Sequence, residues 1–457
     1  MTNAAEEAFV YIAGREAGRL RRDTGFDLAF EYADGYDGVS LSVAMPVDRQ
    51  SFAGPQVTHW FKGLLSGSDL VIDALASNAH CSPQDVFSLI TQNGGDLPGA
   101  VQVFTHPREG AADKSGHYES ISDEAIGCRL REIIQAERNG SAHCWSKPDE
   151  CWSLSGNQGK ISLHKGADGK WMRCLDGATS TYIVKPGVSW MKNQALVEAI
   201  CMRATHHLGI LTAKVDIEDF AGVQAIVIKR FDRADGPQGV IRLHQEDLCQ
   251  ALRKDPDRKY ADEGGPTTAD IAELLRKVCP EEDRWLFADY LLINHLLSAT
   301  DGHCKNYSLI MTGDGPRLAP QYDLASNIPY MSKQRYQPYK TALSIGGESR
   351  IGRLRETSLR KCASQFRLDG DRLYERALEL CDALPAAVDQ ATADFHSAEG
   401  VEAISKELVP KVSCLCSDVR ANLIAPDYSN SRPRYYDYHD DSYSIGSYQG
   451  KGSHSEY

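Results

Sequence analysis

Ala299-Thr300-Asp301-Gly302-His303-Cys304-Lys305-Asn306-Tyr307-Ser308 is the stretch from which this chain is read. It follows a strongly apolar segment, 284–297, whose pattern fits a buried helix, and it precedes the short apolar run Leu309-Ile310-Met311. Polar residues this dense between two buried elements need a chemical reason. A second carboxylate follows downstream, in Pro320-Gln321-Tyr322-Asp323-Leu324.

Asp301 and Asn306 have the D-x-x-x-x-N spacing of a phosphoryl-transfer loop. In such a loop the Asp orients the attacking hydroxyl and the Asn holds a magnesium ion. Mg2+ wants hard oxygen ligands beside nucleotide phosphates, and Asn306 with Asp323 supplies the protein's share. Taken alone, the spacing also fits a capped turn. Upstream, Leu154-Ser155-Gly156-Asn157-Gln158-Gly159-Lys160 reads as a glycine-bearing strand–turn–strand able to present backbone N–H groups to phosphates. It is not a Walker loop, since Lys160 is followed by Ile161, and alone it fits a hairpin turn. Lys185 ends the buried-looking strand Tyr182-Ile183-Val184, where a lone Lys would snorkel. Glu198 lies on the helix that follows, either solvated or paired with Lys185 as kinases pair them to position ATP. Glycine loop, Lys, helix Glu, strand linker, D-x-x-x-x-N and metal Asp run in kinase order. The order says more than any one member.

The rest of the chain agrees with a two-lobed protein of class α+β. Strand-like runs at 9–13, 18–22, 27–32 and 39–45 open the chain, and Ser82-Pro83 and Ser122 carry helix-start signals. Residues 1–148 read as a small N-terminal α+β subdomain, and 149–236 as a strand-rich nucleotide-binding lobe beginning with a strand at 152–154. Residues 237–425 read as a helical catalytic lobe. The last segment, 426–457, holds 7 of the chain's 20 Tyr and almost no aliphatic residue, which reads as a disordered tail.

Composition bounds the partners. Against 63 acidic residues stand 50 Lys and Arg, a net charge of −13, which disfavours unaided binding to DNA or to an anionic membrane. No apolar run reaches the roughly 20 residues of a membrane span, and the acidic N-terminus is unlike a signal peptide. The 13 Cys are scattered without CxxC spacing, which reads as buried reduced thiols in a cytoplasmic protein.

With these parts in place the sequence resembles the HipA family, the toxin kinases of type II toxin–antitoxin modules. The matching stretches are Gly95-Asp96-Leu97-Pro98-Gly99-Ala100, Lys229-Arg230-Phe231-Asp232-Arg233 and Arg242-Leu243-His244-Gln245-Glu246-Asp247-Leu248-Cys249-Gln250, with 299–308 and 320–326. The resemblance implies a protein-kinase-like (HipA-like) fold, use of ATP and magnesium, and transfer to Ser or Thr. It implies an aminoacyl-tRNA synthetase as substrate class, with inhibited translation. A HipB-like DNA-binding antitoxin is the implied partner, with DNA reached only through it and no membrane.

Carried over by resemblance, Asp301 is the catalytic Asp, Asn306 and Asp323 the metal ligands, and Lys185 the phosphate-binding Lys. Residues Ser155, Gly156, Asn157, Gln158, Gly159 and Lys160 form the ATP loop. Lys229, Arg230 and Phe231 form the linker meeting adenine. His303 and Lys305 belong to the nucleotide-contacting loop, and Tyr322 sits beside the metal Asp. Ser153 stands where such kinases autophosphorylate, with Ser155 as a second site. One departure is clear: Gly159 replaces the acidic residue of the family's Gly-x-Gln-Glu-Lys loop, which adds flexibility. Two other readings stay open: a nucleotide-binding partner of the antitoxin without turnover, and a kinase of lipid or small-molecule hydroxyls.

Overall fold

Apolar residues alternate along the first strand, so that Ala8, Val10 and Ile12 face one way and are fully buried. This strand, β1 (Glu6–Ile12), pairs antiparallel with β2 (Arg15–Arg22) and also with β5 (Val101–Phe104). With β3 (Leu28–Tyr32) and β4 (Ser51–Ala53) they make a sheet in the order β4-β3-β2-β1-β5. Helices α1 (Pro55–Lys62), α2 (Asp69–Ala79) and α3 (Val86–Asn93) accompany it. A computed structural model describes residues 6–22, 27–108, 116–142, 145–147, 149–237, 239–331 and 339–425. The expected tail at 426–457 lies outside the described residues.

A second sheet, ordered β10-β11-β9-β7-β8-β6, comprises β6 (His117–Ser120), β7 (Ile161–Lys165), β8 (Trp171–Leu175), β9 (Tyr182–Lys185), β10 (Val215–Asp219) and β11 (Gln224–Lys229). Helix α4 (Asp123–Asn139) is capped by the Ser122 hydroxyl, which accepts from Ala125 N, and it ends at Gly140 with φ 59°. Its Ile126, Leu130 and Ile133 share one core with both sheets. By sheet membership β6 therefore goes with the second lobe, although it falls within 1–148.

Helix α5 (Gln194–His207), within 149–236, packs in one core with the helices of 237–425. The 237–425 lobe is built around α7 (Thr268–Val278), α8 (Glu281–Leu296), α9 (Glu356–Phe366), α10 (Gly370–Asp394) and α11 (Val401–Ile424), with the short α6 (Leu248–Ala251). It is less purely helical than expected. Small sheets are formed by β12 (Arg233–Gly236) with β13 (Gly239–Arg242), by β14 (Gln245–Asp247), β15 (Ser308–Thr312) and β16 (Gly315–Leu318), and by β17 (Lys340–Ile345) with β18 (Glu348–Arg350).

Four local expectations are corrected. Residues 39–45 form no strand: an isolated Ser42–Met45 bridge stands there, because Leu41 N donates to the Tyr32 hydroxyl (2.7 Å) and Val43 N to Glu246 (2.8 Å). Residues 152–154 make only a bridge, Trp152 to Asp96, because this segment runs beside a loop. Ser82 caps a turn through Gln84 N, and it is Asp85 that caps α3, accepting from Ser88 N at 3.1 Å. Cys249 and Cys304, brought together by α6 and the loop after α8, are joined by a disulfide rather than left reduced. The other cysteines among the described residues are free thiols.

Three of the quoted stretches converge on one buried ion cluster. Asp96 accepts from Arg230 (3.3 Å), Arg233 (2.9 Å) and Arg242 (3.2 Å), and Asp232 accepts twice from Arg230 (2.8 and 2.9 Å). Burial opposes the charge on Asp96, but the three guanidiniums outweigh it and hold the carboxyl near pKa about 2. The cluster ties the first sheet to the linker after β11.

Candidate active site

Strand β9 lies inside its sheet, flanked by β11 and β7, and Lys185 at its end is buried. Lys185 is met there by two acids. Its Nζ donates to Glu198 Oε1 on α5 at 3.0 Å and to Asp323 Oδ1 at 2.6 Å. Burial works against the ammonium, but Asp323 and Glu198 outweigh it and raise its pKa. Asp323 is held low, near about 2: burial opposes it and Lys185 prevails. Glu198, wholly buried, has its carboxyl raised by that burial. Asp323 also sits at φ 56°, the left-handed region that a non-glycine residue adopts at some cost.

The glycine loop is wired into this pair. Gln158 Nε2 donates to Gln194 Oε1 (3.1 Å), and Gln194 Nε2 contacts Glu198 Oε2 (3.5 Å). Lys160 folds back, donating to the Ser155 carbonyl at 2.6 Å, and its burial beside Lys185 lowers it to about 7. Gly156, at φ 103°, accepts through its carbonyl from the Ser66 hydroxyl (3.2 Å) and from Gly67 N (3.3 Å), so the N-terminal subdomain backs the loop. Asn157 lies on the same contact: a Cβ on Gly67 would come 2.1 Å from its Oδ1. Gly159 is less free than expected. Its N–H donates to Glu137 Oε1 of α4 at 2.9 Å, and a Cβ there would come 2.1 Å from Ile133 Cγ2. Ser153 is buried, its hydroxyl donating to the Leu64 carbonyl at 3.3 Å, while Ser155 is half-buried.

On the facing side, the loop after α8 carries Asp301 at the mouth of the site. Solvent reaches it, yet the surrounding protein desolvates its carboxyl enough to raise it above the usual range, against the hydrogen bond it accepts from the Tyr260 hydroxyl. Asn306 Nδ2 donates to the Asp301 carbonyl at 2.8 Å, which leaves its Oδ1 as an oxygen donor. His303 is buried and neutral, lowered to about 3 by desolvation. Tyr322 donates to the Lys305 carbonyl (2.9 Å) and stacks on Phe231 of the linker at 5.4 Å.

Not every expected residue turns its side chain to this site. The Arg230 guanidinium belongs to the ion cluster, Lys229 faces Asp235 at 3.9 Å, and Lys305 is paired with Asp247 at 2.7 Å. The linker thus offers its backbone and the Phe231 face. Residues that the sequence reading did not single out are Glu137, Gln194, Asp247 and Tyr260. Only the short local signal of a Gly264-Gly265-Pro266 turn marked the last of these.

The donor set suits a magnesium ion: Asn306 and Asp323 bring oxygen alone, the ligand type that Mg2+ takes beside phosphates. Among the described residues no cluster of three His, Cys, Asp or Glu side chains forms a cage of its own, and no helix is long and apolar enough to cross a membrane.

Comparison with known proteins gives two matching family models, described as the HipA-like C-terminal domain over residues 152–390 and the HipA N-terminal domain over residues 8–104. Y4mE of Sinorhizobium fredii, whose name calls it a kinase, is 29% identical over 395 residues, covering 84% of this chain and 91% of that protein. The serine/threonine-protein kinase toxin HipA of Shewanella oneidensis is 31% identical over 316 residues, covering 63% of this chain and 67% of that one. The solved structure of Shewanella oneidensis MR-1 HipA with HipB and operator DNA matches with a TM-score of 0.73 at 24% identity, over 90% of this chain and 99% of that chain. The two-lobed fold is shared, and the chain belongs to the HipA family of kinase toxins.

Proposed function

We propose that this chain transfers the γ-phosphate of ATP to a Ser or Thr hydroxyl of a protein. The observation that carries the reading is the convergence of Glu198, buried, and Asp323, half-buried, on the buried Lys185 ammonium, facing a loop that carries Asp301 and Asn306. In this reading Glu198 aims Lys185 at the nucleotide phosphates, and the N–H groups of Gly156–Lys160 cover them. Phe231 and Tyr322 wall the base. Asp301 orients the acceptor hydroxyl and takes its proton. Magnesium, held by Asn306 and Asp323, supplies charge neutralisation on the phosphates when bound.

The substrate class is an aminoacyl-tRNA synthetase, with inhibited translation as the outcome, and the partner is a HipB-like antitoxin through which operator DNA is reached. The family membership supports both, as does a net charge of −13 that disfavours direct DNA contact. Autophosphorylation at Ser153 or Ser155 belongs to the same reading. Since the Ser153 hydroxyl is buried against the Leu64 carbonyl, the glycine loop must leave Ser66 and Gly67 before that serine meets Asp301. The test is a phosphoproteome of cells expressing the wild type against Asp301→Ala. A synthetase among the Asp301-dependent phosphoproteins is the expected result; no Asp301-dependent phosphoprotein overturns the kinase reading.

A further inference from the structure

The hydrogen bond accepted by Asp301 Oδ1 comes from this chain itself, from the Tyr260 hydroxyl. Tyr260 is not a loose side chain that happens to fall there. Its ring stands edge-on against His303 with centroids 5.0 Å apart, and the Lys259 carbonyl lies 3.1 Å from Cys304 Sγ. Both contacts set the 258–265 segment against the loop that carries Asp301. The segment is also closed on itself: Glu263 N and Gly265 N both donate to the Tyr260 carbonyl, at 3.1 and 2.8 Å. Gly265 is needed for that closure, because a Cβ there would come 2.3 Å from the Arg258 carbonyl and 2.7 Å from that of Tyr260. Backbone, ring and turn together fix where the phenol points.

An aspartate that orients an acceptor does so by accepting a hydrogen bond from the acceptor's O–H. The Tyr260 phenol presents an O–H to the same carboxylate, so it holds the place of a Ser, a Thr or a water molecule. We infer that Tyr260 is an intrachain stand-in for the acceptor hydroxyl, a positioning residue that keeps Asp301 occupied until a protein acceptor displaces it. The inference rests on the assignment of Asp301 proposed above. Its consequence is economy of ATP: with Tyr260 in place, the Asp301 oxygen that would direct a water molecule's attack on the γ-phosphate already accepts a hydrogen bond from the phenol.

The test uses the full chain with ATP and magnesium and no protein acceptor, and reads phosphate release and the KM for ATP. Tyr260→Phe keeps the ring on His303 and removes only the donor. Loss of one hydrogen bond to a charged acceptor corresponds to roughly tenfold, so acceptor-free hydrolysis should rise by about that factor with the KM for ATP unchanged. A rise in KM or a fall in rate instead means that Tyr260 merely supports the fold, and it overturns the inference, as does a rate equal to wild type. Tyr260→Ala should hydrolyse at least as fast as Tyr260→Phe, and Asp301→Ala/Tyr260→Phe should be silent. Asp301→Ala/Tyr260→Phe as active as Tyr260→Phe overturns the role of Asp301, and with it the kinase reading and this inference.

Discussion

Lys185 and Asp323, 138 positions apart in the sequence, meet in a 2.6 Å ion pair. One side chain comes from the end of an interior strand and the other from the loop beyond the catalytic segment. The pair joins the strand-rich lobe to the helical one, and Glu198 shares the same ammonium at 3.0 Å. In the proposed reading ATP with magnesium parts Lys185 from Asp323, so the two variants at the acids should behave differently. Asp323→Ala should lose magnesium-dependent ATP binding, whereas Asp301→Ala should bind ATP within a modest factor and lose only transfer. Calorimetric titration decides. Equal loss of binding in both variants contradicts this division of roles.

Removing the cation has a cost in stability as well. Lys185→Met leaves Glu198, which is fully buried, beside an apolar side chain. Breaking a buried pair from one side typically costs about 3–5 kcal/mol, most of it the stranded partner's desolvation. The double variant Lys185→Met/Glu198→Gln should recover a large part of that loss in urea denaturation. If the double variant is as unstable as the sum of the singles, Glu198 gains nothing from Lys185.

This half of the site was legible in the sequence because each part lies in a short local pattern: a Lys closing an apolar strand, an Asp and Asn at fixed spacing, glycines after Leu154. Sequence order then supplied the pairing. What stayed illegible came from contacts between distant segments. Nothing near Glu137 announces that it accepts a hydrogen bond from Gly159, 22 residues on, and nothing near Tyr260 points to Asp301, 41 residues on. Arg230 was placed with the nucleotide because it stands in the linker, but side chains next to each other on an extended chain point opposite ways. The ion cluster claimed it. The residues 39–45 alternate like a strand, yet the hydroxyl of Tyr32 and the carboxylate of Glu246 take the N–H groups of Leu41 and Val43.

Gly159 offers a sharper test of packing. Putting back the acidic residue of the family pattern, as Gly159→Glu, forces a Cβ to 2.1 Å from Ile133 Cγ2 and 2.8 Å from the Glu137 carboxylate. Overpacking of this kind costs about 1–3 kcal/mol, and like charges add to it. Glu137→Ala should do the opposite kind of damage: little loss of melting temperature, but ATP affinity lowered about threefold to tenfold as the loop loses its anchor. An unchanged ATP affinity in Glu137→Ala removes that anchor from the account.

Acid should destabilise the protein through two buried histidines. His295 accepts from Gly352 N at 3.2 Å, and His244 contacts the Leu41 carbonyl at 2.9 Å; burial lowers each from 6.5 to about 4. A base depressed on folding contributes stability that is present above its unfolded pKa and is lost as pH falls toward the folded value. The window is therefore about pH 6.5 down to 4, with a loss on the order of 3 kcal/mol for each group. His295→Gln keeps an acceptor for Gly352 and cannot titrate, so its stability should fall less steeply across that window. Parallel slopes for variant and wild type exclude His295 as a source.

The last expectation concerns the glycine loop as a switch. A phosphate on Ser153 would add about −1.5 to −2 charges at neutral pH. Ser153 is buried with its hydroxyl on the Leu64 carbonyl, a site with room and partners for a hydroxyl but not for a dianion. The modified loop therefore has to stay out, losing the Gly156 contacts with Ser66 and Gly67 that back it in the unmodified chain. Ser155 sits differently: it is half-buried, and its carbonyl holds the Lys160 ammonium at 2.6 Å, so a phosphate there draws Lys160 off its carbonyl. Incubation with ATP and magnesium should add one or two phosphates on the peptide that holds both serines, and none in Asp301→Ala. Hydrogen exchange should then speed up at Gly67 and at 156–160 in the phosphorylated form, and ATP affinity should fall. Phosphorylation that leaves exchange at Gly67 unchanged means that the loop accommodates the charge in place, and the switch does not work by expulsion.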